Sequence, residues 1–210
     1  MRLLPALLLF AAVASAAETA TLDHAKYTEA LKAFRQGKAS ALPALTDPAV
    51  EIRRAAIDDL RERLVDEPTA PLAGQVGAVL GKVDLATARL LLAALAEAKA
   101  TTTAAQVAAL AGQKDSPLRA EAALALAEIG GAKAVPILAE LAKDEALNED
   151  SIAALAKTAG PGVTDAFNAG ILDPKLDPAS RTALIKAAIR LPAIVAGADG
   201  AARVALDAFA

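Results

Sequence analysis

Apolar residues recur at helical spacing along residues 115–144, where the pattern is clearest. Asp-Ser-Pro at 115–117 predicts a helix start, because an acid or hydroxyl caps free backbone N–H groups and proline suits the first turn. Gly-Gly at 130–131 predicts the end of that helix. A second helix follows, with one buried side. Its buried stripe comprises Val135, Leu138, Leu141 and Ala142. The pattern predicts a helix pair that needs neighbours to cover its apolar faces.

Looser copies of this pattern lie elsewhere in the chain. Asp-Pro followed by arginine recurs at 45–60 and 177–189, and aspartate with arginine but no proline at 83–95. Successive arginines are 30 to 36 residues apart, except where Glu149 or Asp150 stands at the expected position. This period is typical of stacked helix pairs. The repeat positions are Asp47, Arg53, Asp84, Arg89, Asp115, Arg119, Asp177 and Arg181.

Twelve positions of the 115–144 segment follow a known repeat spelling. They are Asp115, Pro117, Leu118, Arg119, Ala122, Ala123, Leu126, Gly130, Ala134, Val135, Pro136 and Leu138. In these residues the segment resembles a HEAT-like repeat of the phycobilisome-lyase type. The resemblance implies an all-α fold, an α-solenoid of about six stacked antiparallel helix pairs, and an interaction surface as its general role.

The first residues have the pattern of a secretory signal peptide. A positive start, an apolar core from Leu3 to Val13 and small residues at 14–17 predict residues 1–17 as a cleaved signal and 18–210 as a single helical domain. The alternative is an uncleaved membrane anchor, although the run is shorter than the ~20 apolar residues that a spanning helix needs. We therefore expect a periplasmic or secreted bacterial protein, with no membrane span after cleavage.

Composition narrows the classes of function. Cysteine is absent, so disulfides contribute nothing to stability. The formal net charge is -3 and aromatic residues make up 2% of the chain, which argues against nucleic-acid binding. We expect neither a DNA-repair glycosylase nor any other nucleic-acid partner.

The candidate catalytic residues are few. His24 is the one histidine, and we expect it at the surface. Asp47, Asp115 and Asp177 form a carboxylate series that could bind calcium or transfer protons, but their recurrence with the repeat favours helix caps and arginine partners. The sequence predicts no catalytic residue, no cofactor, no metal site and no enzyme activity. The alternative, implied by the lyase resemblance, is a cofactor-handling enzyme or accessory factor, for example for a bilin.

Two further features leave alternatives open. Arg53, Arg54, Arg61 and Arg63 are either a solvated helix face or a candidate partner surface. Gly74, Gly77 and Gly81 predict either a weak helix or one packed unusually close to a neighbour. The main hypothesis is an exported scaffold or adaptor that binds an unidentified protein partner on the face lined by its second helices.

Overall fold

The computed structural model describes residues 22–67, 71–198 and 200–208, and these residues are helical with no strand. The predicted signal peptide lies outside them. We number the α-helices in chain order: α1 His24–Arg35, α2 Ala41–Ala44, α3 Val50–Asp66, α4 Pro71–Val79, α5 Leu85–Glu97, α6 Ala104–Gly112, α7 Arg119–Gly130, α8 Ala134–Leu141, α9 Asn148–Leu155, α10 Val163–Leu172, α11 Pro178–Ile189, α12 Pro192–Gly197 and α13 Gly200–Asp207. The all-α prediction is therefore confirmed.

The chain divides into two compact units, residues 1–60 and 61–210. In the first unit, Asp23 is the N-cap of α1, and its side chain accepts hydrogen bonds from two backbone N–H groups. The helix ends before Gly37, which has φ +66°. Phe34 on α1 is buried, and His24 is exposed, as expected from the sequence. The Tyr27 hydroxyl donates to Asp58 at 2.8 Å. Burial and this bond raise the pKa of Tyr27.

Within residues 61–208, helices of like position pack on one another. We call α5, α7, α9 and α11 the first helices, and α4, α6, α8 and α10 the second helices. The first helices contact in the order α5, α7, α9, α11, and the second helices in the order α4, α6, α8, α10. The apolar stripe of each helix is buried between these neighbours. Its largest fully buried side chains include Leu91, Leu95, Leu126, Leu138, Ile152, Leu155 and Phe167.

The double glycine ends α7 as predicted. Gly131 has φ +51° and opens a single 3₁₀ turn before α8. A Cβ at position 130 would lie 2.7 Å from the Cβ of Ala134, so the turn is too tight for a side chain there. The stretch Arg119–Leu141 is long and apolar enough to cross a membrane, but 56% of its most apolar window is buried inside the fold, and this turn divides it.

Some helix boundaries differ from the prediction. Asp115 does not cap α7, because Ser116 and Pro117 lie in a turn and buried Leu118 takes the cap position. Helix α10 extends to Leu172, which leaves a short connection to α11, and α12 is a further short helix after α11. In each case burial of an apolar side chain, such as Leu118, Ile171 or Ile194, decides the boundary.

The glycines in and just after α4, at positions 74, 77 and 81, do not share one explanation. A Cβ at Gly77 would meet Thr103 Cγ2 at 3.3 Å, so α4 approaches the 3₁₀ turn Thr101–Thr103 closely at this point. Positions 74 and 81 face open space. Close packing therefore accounts for Gly77 alone.

Candidate interaction surface

Arg119 lies at the junction between α6 and α7, where its guanidinium meets the end of the preceding helix. Nε donates to the carbonyl of Ala111 in the last turn of α6 (3.3 Å), and Nη2 donates to Asp144 Oδ2 (2.7 Å). The last carbonyls of a helix lack intrahelical partners and carry partial negative charge, which favours a cation. The arginine side chain, 12% exposed, therefore joins two successive helix pairs.

Other residues make the same kind of contact further along the chain. Arg181 donates to the carbonyl of Asp173, the C-cap of α10, at 2.6 Å. Arg203 donates to Val195 in the last turn of α12 at 3.1 Å. Near 149–150, where the repeat pattern has an acid in place of an arginine, the side-chain amide of Asn148 makes this contact. It donates to the carbonyl of Ala142, the C-cap of α8, at 2.7 Å. The repeat pattern did not single out Arg203 or Asn148.

In the first unit, Arg53 also bonds main-chain oxygens just before its own helix. Nη1 donates to the carbonyl of Asp47 at 2.7 Å and to that of Pro48 at 3.1 Å. The Asp47 carboxylate accepts from the N–H of Ala49. Both repeat residues therefore hold the segment just before α3. Arg53 bonds the main-chain carbonyl of Asp47, and the Asp47 carboxylate bonds the turn that leads into the helix.

The repeat aspartates serve two different purposes. Asp84 and Asp177 are N-caps: the carboxylate of Asp84 accepts from Thr87 N (2.9 Å), and that of Asp177 from Ser180 N (3.0 Å). The cation beside Asp177 is Lys143, at 2.9 Å, where an arginine was expected. Asp115 is exposed, and within the described residues its carboxylate accepts no hydrogen bond and forms no ion pair.

The α4–α5 junction differs from the others. Arg89 points forward to Glu121 on α7 (2.7 Å) and bonds no carbonyl of α4. A cleft of ≈ 600 Å³, which we call the junction cleft, opens at the end of α4. It is lined by residues of two successive junctions, among them Leu80, Val83, Leu85, Leu110, Asp115 and Ser116.

Ion pairs join successive helix pairs along this edge. Arg61 pairs with Glu97, Arg89 with Glu121, Arg119 with Asp144, and Lys143 with Asp177. The bond from Arg119 and the N–H of Ala146 lower the pKa of Asp144. Burial alone would raise the pKa of Asp177, but the N–H of Ser180 and the Lys143 ammonium outweigh it and lower that pKa. Both acids are therefore stabilised in their charged form.

The second helices contrast with this charged edge. Helices α4 and α6 contain no charged residue, and α8 and α10 contain one each, Glu140 and Asp165. Apart from these two acids and Leu172, their exposed positions are small, amide or proline side chains, among them Pro71, Gln75, Ala78, Ala105, Gln106, Ala109, Pro136 and Ala169. A surface depleted in charge is typical of the centre of a protein interface.

The arginine cluster of α3 has intramolecular partners. In the first unit, Arg54 pairs with Asp58 at 3.3 Å. In the second, Arg61 pairs with Glu97, and Arg63 lines a shallow cleft of ≈ 460 Å³ beside Pro71. Asp59 on the same helix is buried and takes part in further interactions. The contacts fit a solvated, internally paired helix better than a cationic docking patch.

No group of three or more histidine, cysteine or acidic residues in the described parts of the chain is arranged to hold a metal ion. Ser151 and Ser180 are fully buried within α9 and α11. No family model matches the chain, and no curated protein matches it in sequence.

Proposed function

We propose that the protein is an exported helical-repeat scaffold or adaptor of the HEAT-like type, which binds another protein on the outer face of its second helices. The observation that carries the proposal is the absence of charge from α4 and α6 beside a heavily ion-paired junction edge. An interface core excludes charged residues because their desolvation is costly.

The packing of residues 61–208 supports the solenoid part of this proposal. Contacts between first helices, and between second helices, follow the chain order expected of stacked antiparallel pairs. Deleting residues 84–114, which contain one pair, should leave a shorter protein with the same helical content per residue. Circular dichroism and thermal unfolding of this variant test the arrangement. Loss of the folded state on deletion would contradict it.

Partner binding can be tested at matched alanines. Ala109 is exposed on α6, a second helix, and Ala179 is exposed on α11, a first helix. A photo-crosslinking residue at 109 in the native host should form a discrete protein adduct, and one at 179 should not. Ala109→Glu should abolish capture of that protein, whereas Ala179→Glu should retain it. Equal adducts from both positions, or none, would count against a second-helix interface.

Export rests on the pattern of residues 1–17. Intact-mass measurement of protein from the envelope fraction should give a chain that begins near residue 18. A full-length chain confined to the cytoplasmic fraction would exclude export and leave the binding test unaffected.

A further inference from the structure

The turns at the two ends of the first helices differ in charge. The four turns that lead into α5, α7, α9 and α11 contain six acids and four lysines. The four turns that follow these helices contain four cations and no acid. These cations are Lys99, Lys133, Lys157 and Arg190, which we call the basic edge.

Contacts between successive turns bring the basic edge together. The first of its turns contacts α7, and the second contacts α10. A Cβ at Gly162, in the third turn, would lie 3.6 Å from the Cβ of Ala132 in the second, so these two turns touch. The fourth turn lies between α11, which packs on α9, and α12, which packs on α10. The four cations therefore follow one another along one side of these helix pairs.

The cations of the basic edge have no partner within the described parts of the chain. All four are exposed, and none of them forms a hydrogen bond or an ion pair there. At the junctions between pairs, by contrast, Arg119 and Arg181 bond carbonyls at the end of the preceding helix, and Lys143 pairs with Asp177. The charges of the basic edge are therefore available to a group from outside.

The turns of helix beside the basic edge leave its positive charge in excess. They add one cation, Lys186, and two acids that have no partner in the described residues, Glu128 and Asp165. A third acid, Glu97, is already paired with Arg61. Helix α3 ends at an acid, so the excess of positive charge begins at α5.

The surroundings of the basic edge favour an acidic protein segment over a lipid surface. Beside the cations, its turns expose threonine, alanine, glycine and proline, and Ile189 at the end of α11 is 39% exposed. Binding to a lipid surface also draws on a larger inserted apolar face. The second helices α6, α8 and α10 begin at these turns, so a protein that covers their outer face reaches the cations. A charge-depleted centre with a polar rim is the usual arrangement of a protein interface.

We propose that the basic edge binds an acidic segment of the partner protein and forms the charged rim of the second-helix interface. Packed helices lie about 8 to 10 Å apart, and an extended chain rises about 3.3 Å per residue. An extended segment with an acid at every third residue therefore places one carboxylate beside each cation. The inference rests on the proposed function and adds the charge of the partner, which complementary potentials select.

The probe is the peptide Glu-Gly-Gly-Glu-Gly-Gly-Glu-Gly-Gly-Glu-amide, labelled with fluorescein and titrated with the full chain. Fluorescence anisotropy at about 20 mM salt, where screening is weak, measures binding. The same peptide with glutamine in place of glutamate should bind at least about tenfold more weakly, because it makes no ion pair. Equal binding of the two peptides, or no binding of the acidic peptide at about 1 mM chain, would overturn the proposal.

Two triple variants that lose the same net charge supply the matched comparison. The basic-edge variant carries Lys99→Gln, Lys133→Gln and Lys157→Gln. The control variant changes three exposed lysines in the turns between pairs and carries Lys82→Gln, Lys114→Gln and Lys175→Gln. The first should weaken binding of the acidic peptide at least about tenfold and the second less than about threefold. Thermal unfolding checks that both variants are folded, and equal losses of binding would contradict the proposal.

A lipid surface is tested with the same variants. Wild type and the basic-edge variant should bind equally to vesicles of phosphatidylcholine and phosphatidylglycerol. Weaker binding of the basic-edge variant alone would assign the edge to an anionic membrane surface and overturn the acidic segment.

The crosslinking experiment separates this inference from the proposed function. If the Ala109 adduct forms and its partner binds the basic-edge variant with unchanged affinity at low salt, the second-helix interface stands and the acidic rim fails. If neither position 109 nor 179 gives an adduct but the acidic peptide distinguishes the two triple variants, the edge recognises acids and the proposed interface fails.

Discussion

The α6–α7 and α4–α5 junctions occupy equivalent places in successive helix pairs but close in different ways. At the first, Arg119 fixes the end of α6 and pairs with the next junction through Asp144. At the second, Arg89 makes one half-exposed pair with Glu121, and a cleft remains. The difference teaches that an arginine at the same place in two junctions can either fix the end of the preceding helix or leave a cleft there, depending on where its side chain points.

The two arginines should differ most in their contribution to stability. Arg119→Ala leaves Ala111 and Asp144 without their donor and should lower the free energy of unfolding by about 2 kcal/mol. Arg89→Ala removes a partly exposed pair and should cost about 0.5 kcal/mol. Urea denaturation followed by circular dichroism measures both. Equal losses would remove the distinction between the two junctions.

The second largest loss of stability is expected on removal of Asp177, the N-cap of α11. Asp177→Ala should cost about 1 kcal/mol, because the N-terminal N–H groups of α11 lose their acceptor, and Asp177→Asn should cost less because an amide oxygen still caps. The pKa of Asp177 is lower in the folded state than in the unfolded state. Its charge therefore stabilises the fold at any pH above the unfolded pKa of about 4, and this contribution is lost as the pH falls through the folded pKa.

Urea midpoints of wild type and Asp177→Asn between pH 2 and 7 test the sign of this dependence. The two proteins should differ most near neutrality, where the Lys143 pair is intact, and the difference should shrink progressively as the pH falls below about 4. A difference that grows on acidification would contradict the assignment.

The Asn148 contact tests whether a neutral donor can replace arginine. Asn148→Ala should cost about 1 kcal/mol, since the carbonyl of Ala142 loses its amide donor. Asn148→Asp is the matched control: it keeps the size of the side chain but supplies no donor, and it should not restore stability. Thermal unfolding of the wild type, Asn148→Ala and Asn148→Asp measures these differences in stability. Wild-type stability in both variants would show that the α8–α9 junction needs no such contact.

Substitution of the glycines of α4 should give the smallest changes in stability, and these changes test how closely α4 packs. Gly74→Ala should stabilise by about 0.5 to 1 kcal/mol, because position 74 is helical and faces open space. Gly77→Ala should gain less or destabilise, because its Cβ would meet Thr103 at 3.3 Å. A larger gain at 77 than at 74 would contradict the close approach of α4 to Thr103.

The sequence predicts the helices well because apolar spacing, Asp-Pro starts and glycine ends are local signals. The turn at Gly131 follows from such signals alone. The start of α7 does not, because burial of Leu118 outweighs the capping preference of Asp115. The partners of Arg119 and Lys143 lie 25 and 34 residues away, so no local pattern could identify them. The cleft escaped prediction because Arg89 and Arg119 look alike in sequence and differ only in their contacts.

The nearest-neighbour order of helices α4 to α11 has a consequence for folding kinetics. Cross-pair bonds such as Arg61–Glu97 and Arg89–Glu121 join residues only 36 and 32 positions apart. Because loop closure over such short distances costs little entropy, chains with these contacts fold in milliseconds or faster. Each pair can therefore assemble as soon as the preceding one has emerged, before the C-terminal helices have been synthesised.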